Sequence, residues 1–316
     1  MSHQHPFRFA TFGYANSRAA WVEYARKVES LGYATLLTWD HLSGLAPIPA
    51  LLSAAEATST LRVGIHVLAN DYRHPAWLAH EAATVDLLSD GRLELGLGAG
   101  WAREDYESTG LTYDPPGVRI ERLAEAVTLI KRLWQEDVVT HTGKHYHTHA
   151  LSLEPKPLQR PHPPIMIGGS GKRILSLAAQ EATIVGLSAK STRAGQLDAS
   201  TMALDAVAEK VQWIREAAGM RFNDLELHIA AIPVIDDNRQ RGAEIARAGL
   251  QENASYAINT IPNATDLLDS PHAMIGSIDQ IVETLQERRE RYGISYITMF
   301  GDIDTFAPVV ARLAGQ

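Results

Sequence analysis

The chain has 316 residues, 45% of them hydrophobic, which is enough to bury a large core and fits the length of one α/β barrel. Charged residues make up 21%, and the net charge of −8 is spread along the chain without a Lys/Arg block, so nucleic acid is excluded as an expected partner. No cysteine is present, which excludes disulfides, iron–sulfur ligation and thiol chemistry.

From Phe7 onward, short β-branched or aromatic runs alternate with segments of helical period. Phe7–Tyr14 reads as a strand, followed by a helix over Ser17–Leu31 with Ser17 as N-cap and Gly32 just past its end. Thr35–Trp39 is the second strand, with a helix over Leu51–Thr58. Leu61–Leu68 and Arg92–Gly100 are the third and fourth, followed by helices over Pro75–Leu88 and Gly117–Trp134. Gln135–Pro164 breaks the rhythm with a turn at Gly143 and a proline-rich close, so it reads as an excursion. Strands at Pro164–Gly169, Thr183–Ala189 and Leu225–Val234 then resume, with helices at Lys172–Glu181, Ala199–Ala218 and Arg239–Ala257. Asn259–Pro271 reads as loop, Ser277–Tyr292 as helix and Tyr296–Phe300 as the last strand, before a short closing helix.

Eight strands alternating with helices predict a parallel sheet, and eight is the number that closes a (β/α)8 TIM barrel; an open doubly wound sheet is the competitor. The expected organisation is one domain over residues 1–316 with an insertion at about 135–164. The polar N-terminus lacks a basic segment followed by an apolar one, and no apolar run is long enough to span a bilayer. The expectation is a cytoplasmic protein without a membrane partner.

In such a barrel, chemistry gathers at the C-terminal strand ends. His41, next to Asp40, directly follows an apolar strand, where an imidazole can exchange a proton near neutral pH. Asp40 can orient it or cap the next helix, and His41 can equally be a loop residue held by hydrogen bonds. Gly168, Gly169, Ser170, Gly171 and Lys172 end a strand and open a helix, which suits an anion; a solvated glycine turn is the bland reading. Gly96, Gly98 and Gly100 alternate along a strand, so a dinucleotide fingerprint is a weak reading and cleared room for a flat ring a better one. Asn70 can contact a cofactor or close an Asx-turn. His66 reads as an interior histidine, and Ser188 sits at another strand end. His145, His147 and His149 alternate in the excursion with no nearby carboxylate or cysteine, so no metal is expected.

Taken together, Thr35–Leu42, Leu61–Trp101, Pro115–Trp134, Leu153–Leu187 and Gly276–Met299 resemble the luciferase-like, F420-dependent oxidoreductase family. The resemblance runs nearly the whole chain and implies a homodimeric barrel holding coenzyme F420, or alternatively FMN. It implies a ring over the strand ends, a phosphate tail toward Gly169–Lys172, and a cis non-proline peptide at or near His66–Val67. Sugar-phosphate dehydrogenases of this family carry a proton-donating glutamate just after the fourth strand's final glycine, where this chain has Trp101. The resemblance therefore implies hydride transfer to or from a small organic substrate whose site is more apolar, with Trp39, Trp77 and Trp101 as candidate walls and His41 moving the proton. An FMN-dependent monooxygenase is the second reading, and a flavin-binding barrel without turnover the non-enzymatic one.

Overall fold

A computed structural model describes residues 5–192, 197–252 and 262–316. Among them, eight strands carry the expected rhythm: β1 (Arg8–Phe12), β2 (Thr35–Thr38), β3 (Arg62–Ile65), β4 (Leu93–Gly98), β5 (Ile165–Gly169), β6 (Ile184–Leu187), β7 (Glu226–Ile235) and β8 (Ile294–Met299). The chain divides into two compact units. One comprises Met1–Phe12, Lys27–Thr35 and Gly168–Gln316, and the other Gly13–Arg26 and Leu36–Ile167.

In the second of these units the sheet order is β2, β3, β4, β5, with Val63 opposite Leu93 and Leu95 opposite Ile165, all parallel. Every residue of β2 and β4 is buried, the signature of parallel strands covered on both faces. Three helices, Pro47–Ala57, Pro75–Leu88 and Pro116–Gln135, each carry a proline in their first turn. A missing N–H costs nothing there and the fixed φ favours the turn. This is why the helix expected from Leu51 begins four residues earlier, where Pro47 and Pro49 had read as loop. The excursion is an antiparallel hairpin of Val139–Thr142 and His147–Leu151.

In the other unit β7 lies between β6 and β8, and β8 pairs β1, with Glu226 opposite Ile184 and Phe9 opposite Ile297. A short helix replaces part of the loop expected over Asn259–Pro271, and an unexpected strand follows that loop. Asn263 caps a short helix, Ala264–Asp269, and the strand Ala273–Gly276 pairs the far end of β7. The helix expected to Ala257 is described from Arg239 to Glu252; its remainder, and residues 259–261 of the expected loop, lie outside the described residues. Ser277 closes a capping box with Gln280 at the start of the helix Ile278–Tyr292.

The third strand departs most from expectation. It stops at Ile65, passes through a cis His66–Val67 peptide, and rejoins β4 at Leu68–Ala69.

Candidate active site

Where β2 ends, two acidic residues divide the work that the sequence assigns to one. Asp40, nearly buried, takes two parallel N–H···O bonds from Arg73 (2.7 and 2.8 Å) and one from the Ala69 amide (3.0 Å). It therefore ties β2 to the end of the third strand and is not the partner of His41. That partner is Asp105: Nδ1 of His41 lies 2.6 Å from Asp105 Oδ2. Asp105 sits in the first turn of the helix Arg103–Thr109, an element that the sequence reading lacked. An acidic residue there is favoured by the exposed N–H groups of the turn.

The histidine side chain is 30% exposed and that of Asp105 18%, so the imidazole is the more accessible member of the pair. The Trp101 ring stands edge-on to His41 with centroids 5.6 Å apart. Its loop is fixed by Tyr113, whose hydroxyl donates to the Trp101 carbonyl (3.1 Å), and by the nearly buried Arg119, which donates to the Ala99 (3.0 Å) and Gly100 carbonyls. Tyr72 donates a longer bond, 3.4 Å, to Asp105. Burial first, then the charge of Asp105, raise the Tyr72 phenol well above its ordinary range, so it remains a donor.

The glycines of β4 serve the chain itself. A Cβ on Gly96 would stand 1.8 Å from the Ile65 carbonyl oxygen, and one on Gly98 2.6 Å from Val67 Cγ2. The room expected for a ring at these two positions is filled by the irregular third strand. Gly100 has φ +75°, and a Cβ there would meet the Tyr106 hydroxyl at 1.9 Å. Asn70 is committed too: its buried amide donates to the Tyr146 hydroxyl of the excursion at 3.0 Å. Burial lowers His66 to about 4, so its ring is neutral at pH 7.

In the other unit, Gly168 and Gly169 end β5 and Gly171 precedes the ten-residue helix Lys172–Glu181. No side chain caps that helix, and a Cβ on Gly171 would meet nothing within 4 Å. Uncapped amides beside open space fit the phosphate carried by either cofactor implied above. Gly169 has a different task, since a Cβ there would lie 2.4 Å from Ile174 Cγ2. Its smallness lets the helix close onto β5. The Gly169 carbonyl accepts the Ser188 amide at 3.0 Å. Lys172 extends to within 3.5 Å of Glu216, both exposed.

Trp77 is 69% exposed on its helix, whereas Trp39 borders a small depression with Gly13, Tyr14, Thr38 and Leu45. Among the described residues no cluster of three or more His, Asp or Glu could hold a metal. In the hairpin, Glu125 accepts the amides of His145 and Tyr146 (closest approaches 3.0 and 2.8 Å) and pairs with the His141 ring. Of the site residues, sequence reasoning missed Asp105, Arg73, Tyr72 and Arg119. The only available signal for Asp105 was its place just after the glycine-rich strand end.

Parallel strands alternating with helices are the architecture of the (β/α)8 class, whose enzymes carry their chemistry at the strand ends. The family model for luciferase-like monooxygenases matches residues 1–295, and the chain belongs to that family. The fold is a (β/α)8 barrel. Coenzyme F420-dependent tetrahydromethanopterin reductase from Methanopyrus kandleri superposes with a TM-score of 0.76 over 98% of this chain and 99% of its own, at 17% identity. An F420-dependent glucose-6-phosphate dehydrogenase of Amycolatopsis mediterranei is 33% identical over 155 residues, 46% of this chain and 45% of its own. The FMNH2-dependent dimethylsulfone monooxygenase of Pseudomonas putida is 32% identical over 124 residues, 39% and 34% of the two chains. The chain thus spans less than half the length of these two curated relatives. Among the described residues no helix is long and apolar enough to cross a membrane.

Proposed function

We propose that this protein is an F420-dependent oxidoreductase that moves a hydride between the deazaflavin and a small organic substrate of largely apolar surface. The observation that carries the reading is the His41–Asp105 pair, 2.6 Å apart with the imidazole partly exposed beside Trp101. With Asp105 ionised and accepting from Nδ1–H, the Nε2 lone pair of neutral His41 is left to take a proton. When bound, the deazaflavin supplies the hydride acceptor or donor. His41 holds or releases the proton that accompanies that transfer at Nε2. Arg119 and Tyr113 hold Trp101 as a wall, and Asp40 holds the strand end that carries His41. The amides preceding the helix Lys172–Glu181 take the phosphate of the tail.

The F420-dependent relative at 33% identity favours this cofactor. Trp101, in the position where a sugar-phosphate dehydrogenase of this family carries glutamate, argues against a sugar phosphate. The Pseudomonas putida relative favours a second reading, FMN-dependent oxygenation at the same residues. A homodimer is part of the proposal. Equilibrium titration with F420 and FMN, followed by absorbance and fluorescence, separates the two readings. The proposal expects micromolar or tighter F420 binding and weaker FMN binding. Tight FMN binding without F420 binding overturns it in favour of the second reading.

A further inference from the structure

We infer that Asp105 is the positioning residue that selects the working tautomer of His41. This deepens the reading of His41 as the proton-exchanging group and rests on it. Three observations converge. The first is distance: at 2.6 Å, His41 Nδ1 and Asp105 Oδ2 share a short, charge-assisted bond. The second is the donor inventory. An ionised carboxylate only accepts, so the proton of a neutral imidazole must sit on Nδ1, and Nε2 must carry the lone pair. The third is enclosure. Asp105 itself accepts a second bond, from the Tyr72 hydroxyl at 3.4 Å, and Tyr72 lies edge-on to Tyr106 with centroids 5.2 Å apart. Tyr106 in turn donates to Asp71 at 3.0 Å. Swinging the carboxylate away from His41 would therefore also break its bond from the packed Tyr72.

The competing carboxylate is accounted for. Asp40 is adjacent to His41 in sequence, but both its oxygens are taken by Arg73 and one also by the Ala69 amide. Among the described residues, no other acidic side chain is bonded to the His41 ring. The imidazole thus meets the Asp105 carboxylate at Nδ1 and stands near-perpendicular to the Trp101 ring. Nε2 is left as the nitrogen through which a substrate proton passes.

Asparagine at this position reverses the pattern. In Asp105→Asn the amide N–H can donate to Nδ1, which drives the proton to Nε2 and removes the base. The same inversion in a serine protease triad, a worked case for tautomer control, lowers turnover by about 10⁴-fold. Glutamate keeps an acceptor and should keep the tautomer.

The test has two arms. Long-range ¹⁵N–¹H spectra of the protein without added cofactor, at a pH where His41 is neutral, report which nitrogen is protonated. The expected result is Nδ1–H in the native chain and in Asp105→Glu, and Nε2–H in Asp105→Asn. Turnover of the F420-loaded enzyme should fall by about 10²–10⁴-fold in Asp105→Asn with KM little changed, and His41→Ala/Asp105→Asn should be no slower than His41→Ala alone. A native His41 protonated on Nε2, or an Asp105→Asn chain that keeps Nδ1–H and native turnover, overturns the inference. Failure to bind F420 overturns the reading of function and leaves the tautomer result standing, so the two failures are distinguishable.

Discussion

Asp40 and Arg73, 33 residues apart in sequence, meet through two parallel N–H···O bonds of 2.7 and 2.8 Å, with the carboxylate side chain 7% exposed and the guanidinium 27%. A planar fork on a buried carboxylate is the geometry that arginine offers and lysine does not. Arg73→Ala leaves Asp40 buried without its counter-charge and should cost about 3 kcal/mol of stability, with Arg73→Lys intermediate. Chemical denaturation of the two variants checks this. Equal stability for Arg73→Lys and the native chain would show that the fork is not what holds the strand ends.

Much of this architecture is legible from residues near one another in sequence. The alternation of apolar strands and amphipathic helices places His41 at a strand end, and the resemblance places a cis peptide at or near His66–Val67, where it is found. What sequence cannot supply is who meets whom. Asp105 lies 64 residues from His41, and the adjacent Asp40 is the natural but mistaken partner. The β4 glycines advertise space, yet whether a ligand or the third strand fills it depends on a bulge in another strand. Gly169 reads as a ligand-facing glycine until Ile174 packs against it.

The glycine turn makes an ordering prediction. Gly169→Leu should unfold the protein at lower temperature, because its side chain collides with Ile174. Gly171→Glu points into open space, so it should leave the melting temperature close to native while weakening binding of a phosphate-bearing cofactor by about 10-fold or more. Lys172→Ala should change binding by less than about 1 kcal/mol, since its ammonium leans to Glu216 in solvent. Calorimetry and cofactor titration on the three variants read both quantities. Native affinity in Gly171→Glu would place the phosphate elsewhere.

Burial first, and the Lys210 ammonium second, push His272 down to about 3 while its Nδ1–H donates to the Ala230 carbonyl at 3.0 Å. The unfolded chain takes a proton near pH 6.5 that the folded chain refuses. Stability from this group is therefore whole above about pH 6.5 and lost as pH falls toward 3, at about 1.4 kcal/mol per pH unit. His272→Gln should be less stable than the native chain at pH 7, and the gap should narrow with acidification. Denaturation curves from pH 7 to pH 4 that stay parallel for the two proteins would contradict this.

Trp77 and Leu88, 69% and 50% exposed on the helix Pro75–Leu88, leave apolar surface at its two ends that a partner copy could cover. Light scattering should report a dimer at micromolar concentration, and Trp77→Lys should shift it toward monomer. A native monomer at that concentration contradicts the assignment.

The central claim is that His41 moves the proton accompanying hydride transfer with F420. Single-turnover mixing of F420-loaded protein with a substrate, followed by loss or recovery of deazaflavin absorbance, measures that step in the native chain and in His41→Ala. The account predicts a rate lowered by about 10²–10⁴-fold, the range for a positioned acid or base, with F420 affinity little changed. A His41→Ala protein that turns over at the native rate contradicts it.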